Sequence, residues 1–152
     1  MTGAAGFAPC TAEACMELLR AHGIDPAGRR VTVVGRSLVI GRPAALLLTR
    51  ADATVTLCHR KTPDLAARCR DADILLAAAG APGLITTDFV RPGQIVLDAG
   101  ATALPDGTLR GDVAPDAAAI TVCTPVPGGI GSVTTALLLR HTVQAAENLR
   151  HF

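Results

Sequence analysis

Val31-Thr32-Val33-Val34-Gly35-Arg36-Ser37-Leu38-Val39-Ile40-Gly41-Arg42-Pro43 is the stretch whose reading decides the fold. A continuous apolar, β-branched run that ends in glycine predicts a buried parallel strand. Gly35 and Gly41 punctuate the turn that follows. Pro43 is expected at the first helical position, where its fixed φ suits the start of a helix and its missing amide costs nothing. Ala44 to Leu48 carries the helix on. Strand, glycine turn and helix together set a helix N-terminus and free backbone amides against a pyrophosphate. The spacing is not G-x-G-x-x-G, because Ser37 stands where the middle glycine would be. This stretch alone supports an ordinary βα turn and a dinucleotide turn about equally.

The next strand decides between them. Thr54-Val55-Thr56-Leu57-Cys58 is short and apolar, and His59-Arg60-Lys61-Thr62 follows it. In a dinucleotide fold the end of the second strand faces the adenine ribose. An acid there accepts from the ribose 2′-hydroxyl, whereas a basic residue suits a 2′-phosphate. No acid stands here. Arg60 and Lys61 do, and Arg36 can approach the same point; the planar fork of arginine matches phosphate geometry. The pattern predicts NADP rather than NAD as the cofactor. Taken by itself, a solvated basic loop would read the same way.

The remaining elements extend this unit in both directions. Thr11 is the expected N-cap of a helix over residues 13–22 that ends at Gly23, with Met16, Leu18 and Leu19 as its apolar stripe. A helix is expected over 63–72 and a third strand over 74–78. A short helical turn over 86–90 and a fourth strand over 94–98 follow. Pro105-Asp106-Gly107 reads as a hairpin turn, with a short strand over 108–113. A last strand over 120–123 and a long helix over 133–150 close the chain. Alternating βα units with apolar strands predict an α/β fold: a doubly wound, parallel, Rossmann-like sheet in a single domain over 9–152. Residues 1–8 are expected to be a flexible lead. Met1 followed by a Gly/Ala-rich run predicts a natural start.

Composition removes several function classes. At 152 residues one domain is expected, and 49% hydrophobic content is ample for a core. Aromatic content of 2% means that the core is aliphatic. A net charge of +1 gives no electrostatic case for nucleic acid or a membrane surface. No apolar run approaches the length of a membrane span, and the first residues lack the pattern of a signal peptide. Cys10, Cys15, Cys58, Cys69 and Cys123 form an odd set without C-x-x-C. That predicts a reducing, cytoplasmic setting and no metal site.

Several further motifs occur in a fixed order. They are Pro9-Cys10-Thr11, Gly35-Arg36-Ser37 with Val39, Gly41 and Pro43, and Cys58-His59 with Thr62. Gly80-Ala81-Pro82-Gly83, Asp98-Ala99-Gly100 and Gly111-Asp112-Val113 come next, then Thr124-Pro125-Val126-Pro127-Gly128-Gly129-Ile130-Gly131. From about Phe7 to the C-terminus the chain resembles the nucleotide-binding domain of the bifunctional methylenetetrahydrofolate dehydrogenase/cyclohydrolase family. The resemblance implies a cofactor site from Gly35, Arg36, Ser37, Val39 and Ile40, with His59, Arg60, Lys61 and Thr62. Ala79, Gly80 and Pro82 would join it, as would Gly100, Ala101 and Thr102, and Pro127, Gly128 and Gly129. Members of that family carry the folate pocket on a separate N-terminal domain, with a catalytic lysine and a tyrosine. The present sequence has no tyrosine, and Lys61 is its only lysine. Serine at 132 and threonine at 102 replace the usual proline and asparagine. The resemblance therefore implies the nucleotide site but not the folate site, and no cyclohydrolase activity.

Hydride transfer between a nicotinamide and a C–N carbon needs alignment rather than a strong acid or base. Proximity alone can supply about 7–11 kcal/mol of such a barrier. Reduction of a carbonyl would also need a placed proton donor. His59, Asp98, Thr102, Asp112 and Cys123 are the candidates, none at a familiar spacing, and the catalytic residues stay unassigned. Asp98 and Asp112 read as anchors for loop amides. Cys123 reads first as a strand-end core residue and second as a neighbour of the nicotinamide. His22, His141 and His151 read as surface or interface residues. In the resembled family the first and last helices pack on the N-terminal domain. Met16, Leu18, Leu19, Leu137, Leu138, Leu139 and Val143 are therefore expected to be uncovered and to form a homodimer interface. Three readings stand: an NADP-dependent oxidoreductase acting on a small-molecule substrate, a non-catalytic NADP-binding subunit, and a fragment needing a partner that carries the folate site.

Overall fold

The computed structural model describes residues 6–149. Five parallel strands form the central sheet: β1 (Arg30–Val34), β2 (Thr54–Cys58), β3 (Ile74–Ala77), β4 (Ile95–Asp98) and β7 (Val122–Cys123). They stand in the order β2-β1-β3-β4-β7. The chain runs outward from β1 to β2 and then returns past β1 to β3, so the winding reverses between β1 and β3. In open α/β sheets ligands bind at such a reversal, beyond the carboxyl ends of the strands.

Side-chain alternation sorts the core into two layers. Val31, Val33, Ile74, Leu76 and Leu97 face one side of the sheet. There they meet α1 (Cys10–Ala21), α2 (Gly41–Arg50) and α5 (Ile130–Leu149) through Ala14, Leu19, Ala44, Leu48 and Leu137. Val34, Leu75, Ala77 and Val96 face the other side. They pack on α3 (Leu65–Asp71) and α4 (Pro115–Ile120) through Cys69 and Ala117. Burial of β1, β3 and β4 on both faces explains their continuous apolar runs, whereas β2 at the sheet edge is largely exposed. A two-stranded antiparallel hairpin, β5 (Thr102–Ala103) with β6 (Leu109–Arg110), stands apart from the sheet.

Several boundaries differ from the sequence reading. Helix α1 starts at Cys10 with Pro9 as its N-cap residue and no side-chain cap. Pro9, at φ −56°, already presets the chain for helix. Thr11 lies inside the helix, where its carbonyl accepts from Cys15 Sγ (3.2 Å). Helix α2 starts at Gly41, so Pro43 is its third residue rather than its first. Helix α4 was not anticipated. Proline at its first position, Asp116 in its first turn and three alanines make it a favourable helix. It takes Ile120, and the last strand shrinks to Val122–Cys123.

His141 is also reassigned: it is 7% exposed rather than a surface residue. Its Nε2 lies 2.9 Å from Glu13 Oε2, its Nδ1 lies 3.4 Å from Cys10 Sγ, and Phe7 stacks on its ring. His22 is exposed, and His151 and residues 1–5 lie outside the described residues. Helices α1 and α5 cover each other. Leu19 and Leu137 are buried, Met16 and Leu18 are half-buried, and only Leu138, Leu139 and Val143 of the expected set remain exposed. Among the described residues no helix is long and apolar enough to cross a membrane, and no cluster of His, Cys, Asp or Glu has metal-binding geometry.

Candidate nucleotide site

The turn after β1 sits at the sheet reversal because only glycine fits there. Gly35 has φ +133°, and a Cβ on it would collide with the carbonyl of Ala78 at the end of β3. A Cβ on Gly41 would in turn collide with the carbonyl of Gly35. The two glycines thus let the turn, β3 and the start of α2 approach as close as backbones can.

Free amides were expected from the glycine turn and the helix start, and those at the start of α2 are taken up. The Ile40 amide donates to Ser37 Oγ at 3.1 Å and the Gly41 amide to the same oxygen at 3.5 Å. The Arg42 amide donates to the Ser37 carbonyl at 3.0 Å. A serine in place of the middle glycine supplies an acceptor of its own, and it caps the turn internally. The anion-attracting groups at this point include the helix dipole, the Ser37 hydroxyl and the Arg36 guanidinium.

A cavity of about 410 Å3 opens beside this turn. Gly35, Arg36, Ser37, His59, Arg60, Lys61, Ala78 and Ala79 line it. Three cations from two separate loops therefore meet at one place, without a carboxylate among the lining residues. His59 is held by its own loop: its amide donates to Thr62 Oγ1 (2.9 Å), and its Nδ1 accepts from the Lys61 amide (3.1 Å). Thr62 shapes the loop without lining the cavity.

A second cavity of about 430 Å3 lies further along the carboxyl edge. It contains Ile40, Gly100, Ala101, Pro127, Gly128 and Gly129 from the expected set. Thr11, Asp98, Leu109 and Ser132 also line it. Thr11 was foreshadowed by the Pro-Cys-Thr motif. Leu109 had no signal, since it arrives only when the β5–β6 hairpin folds back. Val39, Gly80, Pro82 and Thr102 line neither cavity. Val39 and Pro82 face solvent, Thr102 pairs with Arg110 in the hairpin, and the Gly80 amide is bonded to Asp112. A further cavity of about 460 Å3 opens near the starts of the strands, with Met16, Leu19, Ile24 and Pro26 in its wall beside Glu13, Glu17, Arg20 and Asp25.

The buried carboxylates hold backbone. Asp98 accepts from the amides of Gly100 (2.9 Å), Asp112 (3.0 Å) and Val113 (3.0 Å). Burial pushes its carboxyl pKa up, and these three donors pull against that shift. Asp112 accepts from three amides of the loop after β3. The Cys123 thiol is pushed up to about 11 by burial. It lines a smaller cavity, of about 280 Å3, on the far side of Pro125 and Gly129. The second cavity thus offers apolar walls, backbone groups, the hydroxyls of Thr11, Ser132, Thr134 and Thr135 and one buried carboxylate, which suits alignment of a flat ring better than acid–base chemistry.

Residues 9–150 match the family model for the tetrahydrofolate dehydrogenase/cyclohydrolase NAD(P)-binding domain. The chain belongs to that family. It is 60% identical over 144 residues to a bifunctional FolD protein of Rhodococcus jostii, covering 92% of this chain and 48% of the relative. A solved methylenetetrahydrofolate dehydrogenase/cyclohydrolase from Campylobacter jejuni superposes with a TM-score of 0.90 at 43% identity, over 95% of this chain and 52% of that one. The enzyme from Trypanosoma brucei, solved in complex with NADP cofactor and an inhibitor, gives 0.83 at 45% identity, over 90% and 50%. The chain therefore spans about half the length of the relatives it matches. An NAD(P)-binding domain accounts for both cavities at the carboxyl edge and for the glycines that make room between them.

Proposed function

We propose that this chain binds NADP(H) and serves the hydride-transfer half of a methylenetetrahydrofolate dehydrogenase. The observation that carries the cofactor preference is the convergence of Arg36, Arg60 and Lys61 on one cavity. No carboxylate stands there to accept from a ribose 2′-hydroxyl, and three cations suit a 2′-phosphate. The adenosine half would lie in that cavity, the pyrophosphate beside Ser37 and the start of α2, and the nicotinamide against Gly100, Pro127 and Gly128.

The bound nicotinamide would supply the hydride chemistry. The chain's own residues would bind and orient it. Asp98 and the 127–129 loop would fix the ring's height, while Ile40, Val126 and Leu109 would keep water from one side of it. Neither cavity presents a lysine–tyrosine pair, and a folate pocket is expected from residues beyond this chain. The exposed Leu138, Leu139 and Val143 of α5 support a homodimer through that helix. Five unpaired cysteines suit a reducing compartment such as the cytoplasm.

The test is reduction of NADP by methylenetetrahydrofolate, followed by absorbance of the reduced nicotinamide. It is run with the chain alone and with the separately made N-terminal half of a FolD relative. Turnover that depends on the added half supports the reading, and turnover by the chain alone gives it the wider scope of a stand-alone oxidoreductase. Nucleotide binding without turnover in either case leaves the non-catalytic subunit.

A further inference from the structure

Asp112 lines neither cavity, yet it is fully buried between them. Its Oδ2 accepts from the Ala79 amide (2.5 Å) and the Gly80 amide (3.0 Å), and its Oδ1 from the Ala81 amide (2.7 Å). Ala79 is wall of the cavity that holds Arg36 and Arg60. On its other side, the Asp112 amide donates to Asp98 Oδ1 (3.0 Å), the oxygen that also holds the Gly100 amide. Asp98 and Gly100 are wall of the second cavity. The joint has no slack: a Cβ on Gly100 would strike the Asp112 carboxylate, and one on Gly111 would strike that of Asp98. One chain of charge-assisted hydrogen bonds thus runs from cavity to cavity.

We infer that Asp112 is a positioning residue that sets the two cavities at the spacing one dinucleotide needs. This rests on the reading of the cavities as the two halves of a single cofactor site. A ligand that reaches both halves gains from the second as an effectively intramolecular contact, and that gain depends on spacing. A ligand confined to one half is indifferent to it. Asp112 touches neither half of the ligand, so its effect separates by ligand length.

The test compares NADPH with adenosine 2′,5′-bisphosphate, by titration of the wild-type chain and of Asp112→Asn. Asparagine keeps the size but turns one acceptor oxygen into a donor that faces amide donors. NADPH affinity is expected to fall about tenfold or more, the size of one lost charge-assisted bond, while the bisphosphate changes by less than about threefold. Equal losses for both ligands, or no loss for either, would overturn the inference. Wild-type protein that binds neither ligand would overturn the nucleotide reading instead.

Should Asp112→Asn fail to fold, amide exchange of the wild-type chain decides. Adenosine 2′,5′-bisphosphate is expected to slow exchange at Gly100, Asp112 and Val113, across the bridge from its own cavity. Slowing confined to residues 35–37, 59–62 and 78–81 would contradict the coupling.

Discussion

At the residue scale the site depends on positions where a single atom too many has no place to go. Gly35 is held at φ +133° against the Ala78 carbonyl, so Gly35→Ala combines a disfavoured backbone with a backbone clash. A loss of about 3 kcal/mol or more is expected from urea denaturation, and a loss under about 1 kcal/mol would mean that β1 and β3 can separate without cost. Ser37 predicts a smaller effect. Ser37→Ala removes the acceptor for the Ile40 amide and should cost about 1 kcal/mol by the same measurement. This capping was not visible in the sequence. Ser37 read there as a substitution for glycine, and the hydroxyl's role emerges only once the turn brings it over the helix start. The three cations were legible, because their positions follow from where strands end. The carboxylates were legible only as anchors, since their partners lie up to 33 residues away.

At the scale of elements, the strands follow from the apolar runs, and the corrections cluster where helices begin and end. Helix α4 escaped because its six residues are too few to show a periodic stripe. The sheet's strand starts are clamped from outside. Arg30 at the head of β1 pairs with Asp71 and Asp73, at 2.6 and 3.1 Å, across to the head of β3. Hydrogen bonding from Arg30 holds the Asp73 carboxyl below the usual range. A carboxyl lowered in the folded state contributes stability that is present above its unfolded pKa, about 3.9, and lost as pH falls through the folded value. Asp73→Asn should therefore flatten the decline in stability as pH falls below about 4 relative to wild type, read from denaturant midpoints. Because the pair is exposed, the difference should be small and should shrink further in high salt. An unchanged acid limb would mean that the clamp carries no linkage. Within the sheet, Leu76→Ala should cost about 2–5 kcal/mol, since its side chain is fully buried between β3 and the α1–α2–α5 layer.

At the scale of the whole molecule, helices cover both faces of the sheet, and the two cavities read as the nucleotide site open at its carboxyl edge. The same architecture explains which expectation about assembly weakened. Helices α1 and α5 bury most of each other's apolar stripe, so the face left for a second copy is narrower than the sequence alone implied, namely Leu138, Leu139 and Val143. A homodimer through that face predicts that Leu139→Glu shifts sedimentation toward the monomer. Wild-type chain that sediments as a monomer at every concentration would reject it.

The central claim is that a 2′-phosphate is read by Arg36, Arg60 and Lys61. It is tested most directly by titrating the purified chain with NADPH and with NADH, following nicotinamide fluorescence, with Arg60→Ala alongside. The account predicts that NADPH binds more tightly than NADH, and that Arg60→Ala weakens NADPH about tenfold while leaving NADH nearly unchanged. Equal affinity for the two nucleotides, or equal weakening of both in the variant, would contradict it.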